Sequence, residues 1–384
     1  MTRRNVCVVT GSRAEYGLFY PILNKIQSSR ELNLQLVVTS THLSSDFGST
    51  FKQIENDGFT IDGKIDNLFK SDSAVSIAKS AGSAIILLSD CLDKLKPDVV
   101  LLLGDRFETH AAATTALLLN IPIAHIHGGE ITEGAVDEQI RHSITKMSFL
   151  HFCSTDVYRN RVIQMGEDPL RVFNTGAPGI DNIVNYNLLS KASLEKELKW
   201  KFHDKTALFT YHPVTLSNFD HEIELSLILQ VIEASTLGVL FTYANADRGG
   251  RAINQMIELF CKKNPIRFKV VKSLGQLKYL SSISHASLLI GNSSSGIIEA
   301  ASFYKPVINI GDRQLGRLKG LNVIDTGTSI KDLADSINLA TSSNFVKQCQ
   351  EVTNIYGEGN SAKKIVNHLI NNNLSVRKSF IDIK

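Results

Sequence analysis

Ala286-Ser287-Leu288-Leu289-Ile290 leads into Gly291-Asn292-Ser293-Ser294-Ser295-Gly296-Ile297-Ile298-Glu299-Ala300. An apolar run ends at a glycine, small hydroxyl residues turn the corner, and a helix-forming segment begins. Such a strand–turn–helix unit brings unpaired helix N-terminal N–H groups and three serine hydroxyls into one small volume, which suits a phosphate or diphosphate. Glu299 then falls about one turn further on, in reach of a ribose. The same residues are also what a plain helix cap needs, with Ser293 or Ser294 accepting from first-turn N–H groups. The turn alone does not decide between the two.

Outward from this turn, short β-branched runs alternate with longer amphipathic or Ala/Leu-rich segments, the pattern of βαβ units and parallel sheets. Strands are expected near 5–10, 34–40, 98–104, 121–126, 149–154 and 172–176. A second series is expected near 206–211, 238–243, 267–272, 286–291, 306–311 and 322–326. Between the series lie Pro178-Gly179 and the charged stretch Lys191 to Lys201, the expected hinge region. The reading is an α/β chain with two doubly wound domains, 1–180 and 181–356, and a tail, 357–384, whose helix returns to the first domain. At 384 residues and 43% apolar composition, the chain suffices for two cores.

A net charge of +3, no long basic run and few aromatics argue against an extended nucleic-acid surface. Cys7, Cys91, Cys153, Cys261 and Cys349 are scattered, with neither metal-knuckle nor redox spacing, and read as reduced thiols. Met1 to Arg4 pass straight into a strand without a signal-type segment, and apolar runs such as Val99 to Leu103 fall short of the roughly 20 residues that span a bilayer. A cytoplasmic protein with no membrane partner is the expectation. No G-x-G-x-x-G and no Walker motif occurs, which removes the usual sequence support for nicotinamide or P-loop chemistry.

The chemically interesting residues follow strands, where open α/β sheets bind ligands. Arg13, after Gly11-Ser12, is either an anion contact or a surface ion-pair residue. Asp105 ends the apolar run Val99 to Gly104 beside Arg106, and is either a helix cap or a base with a tuned pKa. Residues 125–142 hold His125, His127, Glu130, Glu133, Asp137, Glu138, Arg141 and His142, with Gly128-Gly129 permitting a loop folded around a ligand. Asp137 and Arg141, four apart, share a helix face and could simply pair. On a strand His125 and His127 point the same way, a two-ligand start for a metal, but no third ligand has convincing spacing, and no metal is expected. His212, extended by Pro213, is either an ordinary strand-end histidine or a general acid–base near neutral pH.

Taken together these residues resemble the hydrolysing UDP-N-acetylglucosamine 2-epimerases of sialic and legionaminic acid biosynthesis. The matching pieces are GSRAEYG at 11–17, GDRFE at 104–108, HIHGGE at 125–130, DEQIRHSITK at 137–146, HPVT at 212–215, GNSSSGIIEA at 291–300 and GDRQLGR at 311–317. They run in family order over almost the whole chain. The resemblance implies a GT-B-like architecture, two Rossmann-like doubly wound domains with an interdomain active-site cleft, and no cofactor. It implies UDP-N-acetylglucosamine plus water giving N-acetylmannosamine and UDP, through loss of the C2 proton, departure of UDP from C1, and hydration of the resulting glycal with inversion at C2. The alternatives are the same reaction on UDP- or GDP-N,N′-diacetylbacillosamine, and a GT-B glycosyltransferase. Arg13, Arg106, His212, Asn245, Ser293, Ser294, Glu299 and Arg313 match nucleotide-holding positions, with Ser295 and Gly296 in the same turn. Asp105 and Asp137 match catalytic carboxylates, with Glu138 and Arg141 beside them. A homodimer or homotetramer is implied as well.

One departure stands out. The sialic-acid enzymes usually read His-Ile-Glu-Gly-Gly-Glu, whereas this chain has His127 at the first Glu, and the segment before Asp137 is one residue longer. Either His127 takes over proton handling, or Glu130 substitutes spatially, or the sugar differs around C4 and C6. The last is favoured, because the His-Ile-His-Gly-Gly-Glu form resembles enzymes acting on N,N′-diacetylbacillosamine nucleotides, whose C4 amide a histidine could serve differently from a hydroxyl.

Overall fold

The computed structural model describes residues 3–69, 71, 73–133, 135–213, 221–244 and 249–382. Among these, one sheet contains β1 (Arg4–Thr10), β2 (Leu32–Thr39), β3 (Gly63–Ile65), β4 (Val99–Leu103), β5 (Ile123–Ile126), β6 (Leu150–Cys153) and β7 (Val172–Asn174). The other contains β8 (Thr206–Thr210), β9 (Gly238–Thr242), β10 (Phe268–Val271), β11 (Leu288–Gly291), β12 (Val307–Ile310) and β13 (Val323–Thr326). Their orders are β3-β2-β1-β4-β5-β6-β7 and β10-β9-β8-β11-β12-β13. Every pairing is parallel. Both sheets are therefore doubly wound, and strand order reverses between β1 and β4 in one and between β8 and β11 in the other. Crevices at such reversals are where open α/β sheets take ligands. Twelve strands coincide with expected ones. The exception, β3, is a three-residue edge strand with a single buried position, too short to show a period.

The chain divides into two compact units. Unit 1 comprises 1–130, 137–184 and 356–384, and unit 2 comprises 131–136 and 185–355. The unit 1 sheet carries apolar clusters on both faces, one around Val8, Leu36 and Leu101, the other around Cys7, Val100 and Leu102. Both faces being covered explains why these strands read as continuous apolar runs. The unit boundary lies at the end of the helix Pro178–Asn185, between the two parts of the expected hinge region and a few residues beyond the expected 180/181 boundary. The helix Lys191–Leu198 buries Leu194 and Leu198, so its charges coat a packed helix of unit 2. Residues 361–371 form a helix against the helix Arg13–Gln27, with Ala362, Ile365 and Leu369 in the unit 1 core. Its first turn is capped by Asp181, which accepts from the Ser361 and Ala362 N–H groups, each at 2.8 Å.

Ala74–Leu95 departs from the expectation that apolar runs are short. This 22-residue helix is long and apolar enough by composition to cross a membrane. Ser80, Ala84, Leu88 and Leu92, four residues apart, instead form its buried stripe on unit 1. All five cysteines are free thiols.

Candidate active site

Among the described residues, those singled out from sequence follow strand ends, with members in each unit. In unit 2, Gly291 ends β11 beside Thr210 of β8. Its φ is +135°, and a Cβ there would lie 1.9 Å from the Thr210 carbonyl oxygen, so only glycine fits. Asn292 follows and joins the two strand ends: its Oδ1 accepts from His212 N at 2.7 Å and its Nδ2 donates to His212 O at 2.8 Å. The buried His212 is thus held by its backbone, after which Pro213 carries the chain away. Arg313 and Gln314 both donate to Asn292 O, at 3.1 and 2.9 Å.

Ser293 N-caps the helix that follows, accepting from Ser295 N at 3.4 Å. That helix, Ser294–Ile298, has only five residues and gives way to a 3-10 turn at Ala300–Phe303. A run this short adds little macrodipole, and the local hydroxyls and N–H groups are the donors that matter. Ser295 Oγ donates to the carboxylate of buried Glu299. Burial raises Glu299 to about 7 despite that bond. Tyr279, which lies in none of the motifs, hydrogen-bonds Ser295, Thr210 and Ser293, and burial plus the Glu299 charge push its phenol up to about 12. A cavity of about 10 Å³ lies among Thr210, Tyr279, Gly291, Ser293 and Gly296. It has room for about one water. Asn245, expected to hold the nucleotide, lies outside the described residues.

In unit 1, Ser12 caps the helix Arg13–Gln27, and Arg13 is its first residue. Burial lowers the Arg13 pKa. After β4, Arg106 rather than Asp105 occupies the cap position of the helix Phe107–Leu118. The cap reading of Asp105 therefore fails: its carboxylate meets the Arg141 guanidinium. Arg141 is 1% exposed and also donates to Glu130 O at 2.9 Å and to Glu138 Oε2 at 3.3 Å. Glu138 Oε1 faces His142 Nε2 at 2.9 Å. Arg141 thus connects the end of β4, the glycine loop and the helix Asp137–Met147, a wider role than a pair with Asp137. Asp137 itself is half-buried in the first turn of that helix.

The glycine loop departs from the expected strand geometry. β5 stops at Ile126, and His127 adopts φ +67°, so His125 and His127 do not continue one strand face. His125 is committed to packing, with Nε2 2.8 Å from Gly104 O and Nδ1 3.2 Å from Thr145 Oγ1, and burial lowers its pKa to about 3. It is a neutral structural imidazole. His127 Nδ1 lies 2.5 Å from Glu130 Oε1, which also accepts from Ser154 Oγ at 2.8 Å. Among the described residues the buried His127 Nε2 has no partner. Gly129, at φ +79°, leaves no room for a Cβ, which would lie 2.4 Å from Tyr158 O. No group of three metal-ligating side chains occurs among the described residues.

The UDP-N-acetylglucosamine 2-epimerase family model matches residues 24–370. The hydrolysing GDP/UDP-N,N′-diacetylbacillosamine 2-epimerase of Campylobacter jejuni is 41% identical over the full length of both chains. The hydrolysing UDP-N,N′-diacetylbacillosamine 2-epimerase of Legionella pneumophila is 35% identical over 94% of each. The crystal structure of the UDP-GlcNAc 2-epimerase from Neisseria meningitidis bound to UDP-GlcNAc superposes with a TM-score of 0.81 at 20% identity, covering 96% of this chain and all of that one. The doubly wound halves thus form a GT-B-like fold. With the motifs in order and both reversal points furnished, the chain belongs to the hydrolysing UDP-N-acetylglucosamine 2-epimerase family and is an enzyme of nucleotide-sugar chemistry.

Proposed function

We propose that the enzyme hydrolyses and 2-epimerises UDP- or GDP-linked N,N′-diacetylbacillosamine, releasing the free 2-epimer and the nucleoside diphosphate. The observation that carries this reading is the imidazole of His127, held by Glu130 through Nδ1 with Nε2 left over in a buried site. A carboxylate at this position would sit against Glu130 as a like charge. An imidazole offers one nitrogen that meets an acetamido group, accepting from its N–H or, when protonated, donating to its C=O. The Campylobacter and Legionella relatives named for this sugar support the choice over UDP-N-acetylglucosamine.

In this reading Asp105 and Asp137 exchange protons at C2 and activate water, Arg141 orients Asp105, and Glu138 braces Arg141. Loss of the C2 proton and departure of the nucleoside diphosphate from C1 leave a glycal. Water then adds at C1 and a proton returns to C2 from the opposite face. Ser293, Ser294, Arg13, Arg106 and Arg313 hold the diphosphate side with His212, and Glu299 takes the ribose. The free thiols suit a cytoplasmic enzyme.

Turnover of UDP- and GDP-N,N′-diacetylbacillosamine and of UDP-N-acetylglucosamine in D2O tests the proposal. The expected products are nucleoside diphosphate and a free sugar with one deuterium at C2, formed without any acceptor. The diacetamido substrates should lead in kcat/KM by about 10²-fold, the scale of one or two buried hydrogen bonds. A preference for UDP-N-acetylglucosamine would reinstate that substrate, and absence of deuterium would remove the glycal. His127→Glu should move the ratio toward UDP-N-acetylglucosamine by at least about tenfold.

A further inference from the structure

Two buried glutamates flank Gly11 where β1 and β4 part, and the reaction as proposed uses neither. Glu15 is 6% exposed and Glu108 1%. Glu15 Oε2 accepts from Gly11 N at 2.6 Å and from Thr10 Oγ1 at 3.2 Å. Glu108 Oε1 accepts from Arg106 Nε at 2.8 Å. A Cβ on Gly11 would lie 2.4 Å from Glu108 Oε1, so both carboxyl groups close on the same stretch of backbone. The remaining oxygens, Glu15 Oε1 and Glu108 Oε2, are buried and have no partner among the described residues. If both groups were ionised, two carboxylates on one stretch of backbone would each leave an oxygen bare and away from water, a costly arrangement that one proton relieves.

We propose that Glu15 and Glu108, both closing on Gly11, hold one proton between them. The pair is a positioning device: Glu15 fixes the Gly11-Ser12-Arg13 turn through Gly11 N–H, and Glu108 fixes the Arg106 guanidinium, the two cations that meet the nucleotide. The charged and titratable groups around Glu15 among the described residues are Arg106, Glu108 and, through Thr10 Oγ1, His42 Nε2 at 3.2 Å. His42 adds no charge near neutrality, since burial lowers its pKa to about 4. Burial and then the Glu108 charge raise Glu15 to about 8, against the lowering bonds from Gly11 and Thr10 and the Arg106 charge. A carboxyl raised from 4.5 to about 8 stabilises the folded turn fully below pH 4.5, and that contribution is lost as pH rises through the folded value. Above pH of about 8 Glu15 gives its proton to solvent, the carboxylates repel, and the turn loosens.

Infrared spectra of the whole enzyme at pH 7 test the pair without any substrate. The C=O stretch of protonated carboxylic acid should be present, weaken in Glu299→Gln, which removes the contribution of the other raised glutamate, and in the Glu299→Gln background disappear on adding Glu15→Gln. Retention of the whole band in Glu15→Gln overturns the proposal. Should that variant fail to fold, Glu108→Gln removes the neighbouring charge, and the band must then titrate at lower pH; an unchanged titration overturns it equally. The kinetic arm rests on the proposed reaction. KM for the nucleotide sugar should rise about tenfold per pH unit above pH 8 in the parent enzyme with kcat little changed, as one proton requires, and Glu15→Gln should abolish that rise. An identical rise in Glu15→Gln overturns the positioning role. No turnover on any nucleotide sugar, with the infrared band behaving as expected, would sink the reaction and leave the pair standing.

Discussion

Replacing Asp105 by Asn is expected to lower kcat by about 10²–10⁴-fold, the range for a lost acid–base group, while nucleoside diphosphate affinity stays within a few-fold. Asn keeps the shape of Asp but loses its charge and basicity. Arg141 would retain Glu138 and the Glu130 carbonyl as partners, so its buried guanidinium is not left bare. Breaking one arm of a partly exposed network costs far less than stripping a fully buried pair, and the melting temperature of Asp105→Asn should stay near the parent's. Deuterium exchange separates the roles of the carboxylates. If Asp105 takes the C2 proton, exchange at C2 falls together with product formation. If it serves the hydration of the glycal, exchange persists while release of free sugar stops. Turnover near the parent level would remove Asp105 from the chemistry altogether.

The sheet architecture was legible because strands covered on both faces are written as unbroken apolar runs, and parallel connections force intervening helices. Boundaries between packed units were less legible. Lys191 to Lys201 reads as a charged, helix-like hinge, and the helix is there, but its buried Leu194 and Leu198 pack it into unit 2 against the helix Gly275–His285, far away in sequence. The site was legible as motifs and illegible as pairings. Asp105 and Arg141 stand 36 residues apart, a pairing that the periodicity of a single helix cannot show. The backbone turn at His127 was hidden too, because a positive φ at a non-glycine residue has no local sequence signal. Glu15 and Glu108 were inside the quoted motifs, but nothing in either motif says that both close on Gly11. Tyr279 lies in no motif and reaches the serine turn only through the fold.

Gly291→Ala should destabilise unit 2 by more than about 4 kcal/mol, the range that marks a specific structural violation. The new Cβ would stand 1.9 Å from the Thr210 carbonyl oxygen, a backbone atom paired in the β8–β11 ladder that cannot rotate away, and φ +135° is foreign to a residue with a side chain. Relief requires β8 and β11 to separate, which also breaks the Asn292 link to His212. Gly296→Ala, five residues on, is the matched control. Its Cβ would meet Val307 Cγ1 at 3.0 Å, the end of a side chain that can shift, and its φ is ordinary; a cost of about 1 kcal/mol is expected. At roughly 2–4 °C per kcal/mol for a unit of this size, calorimetry should show a drop of more than about 8 °C for Gly291→Ala against a few degrees for Gly296→Ala. Equal melting temperatures for the two variants would mean that the strands can part cheaply, and the glycine would then matter for ligand approach instead of for the closeness of β8 and β11.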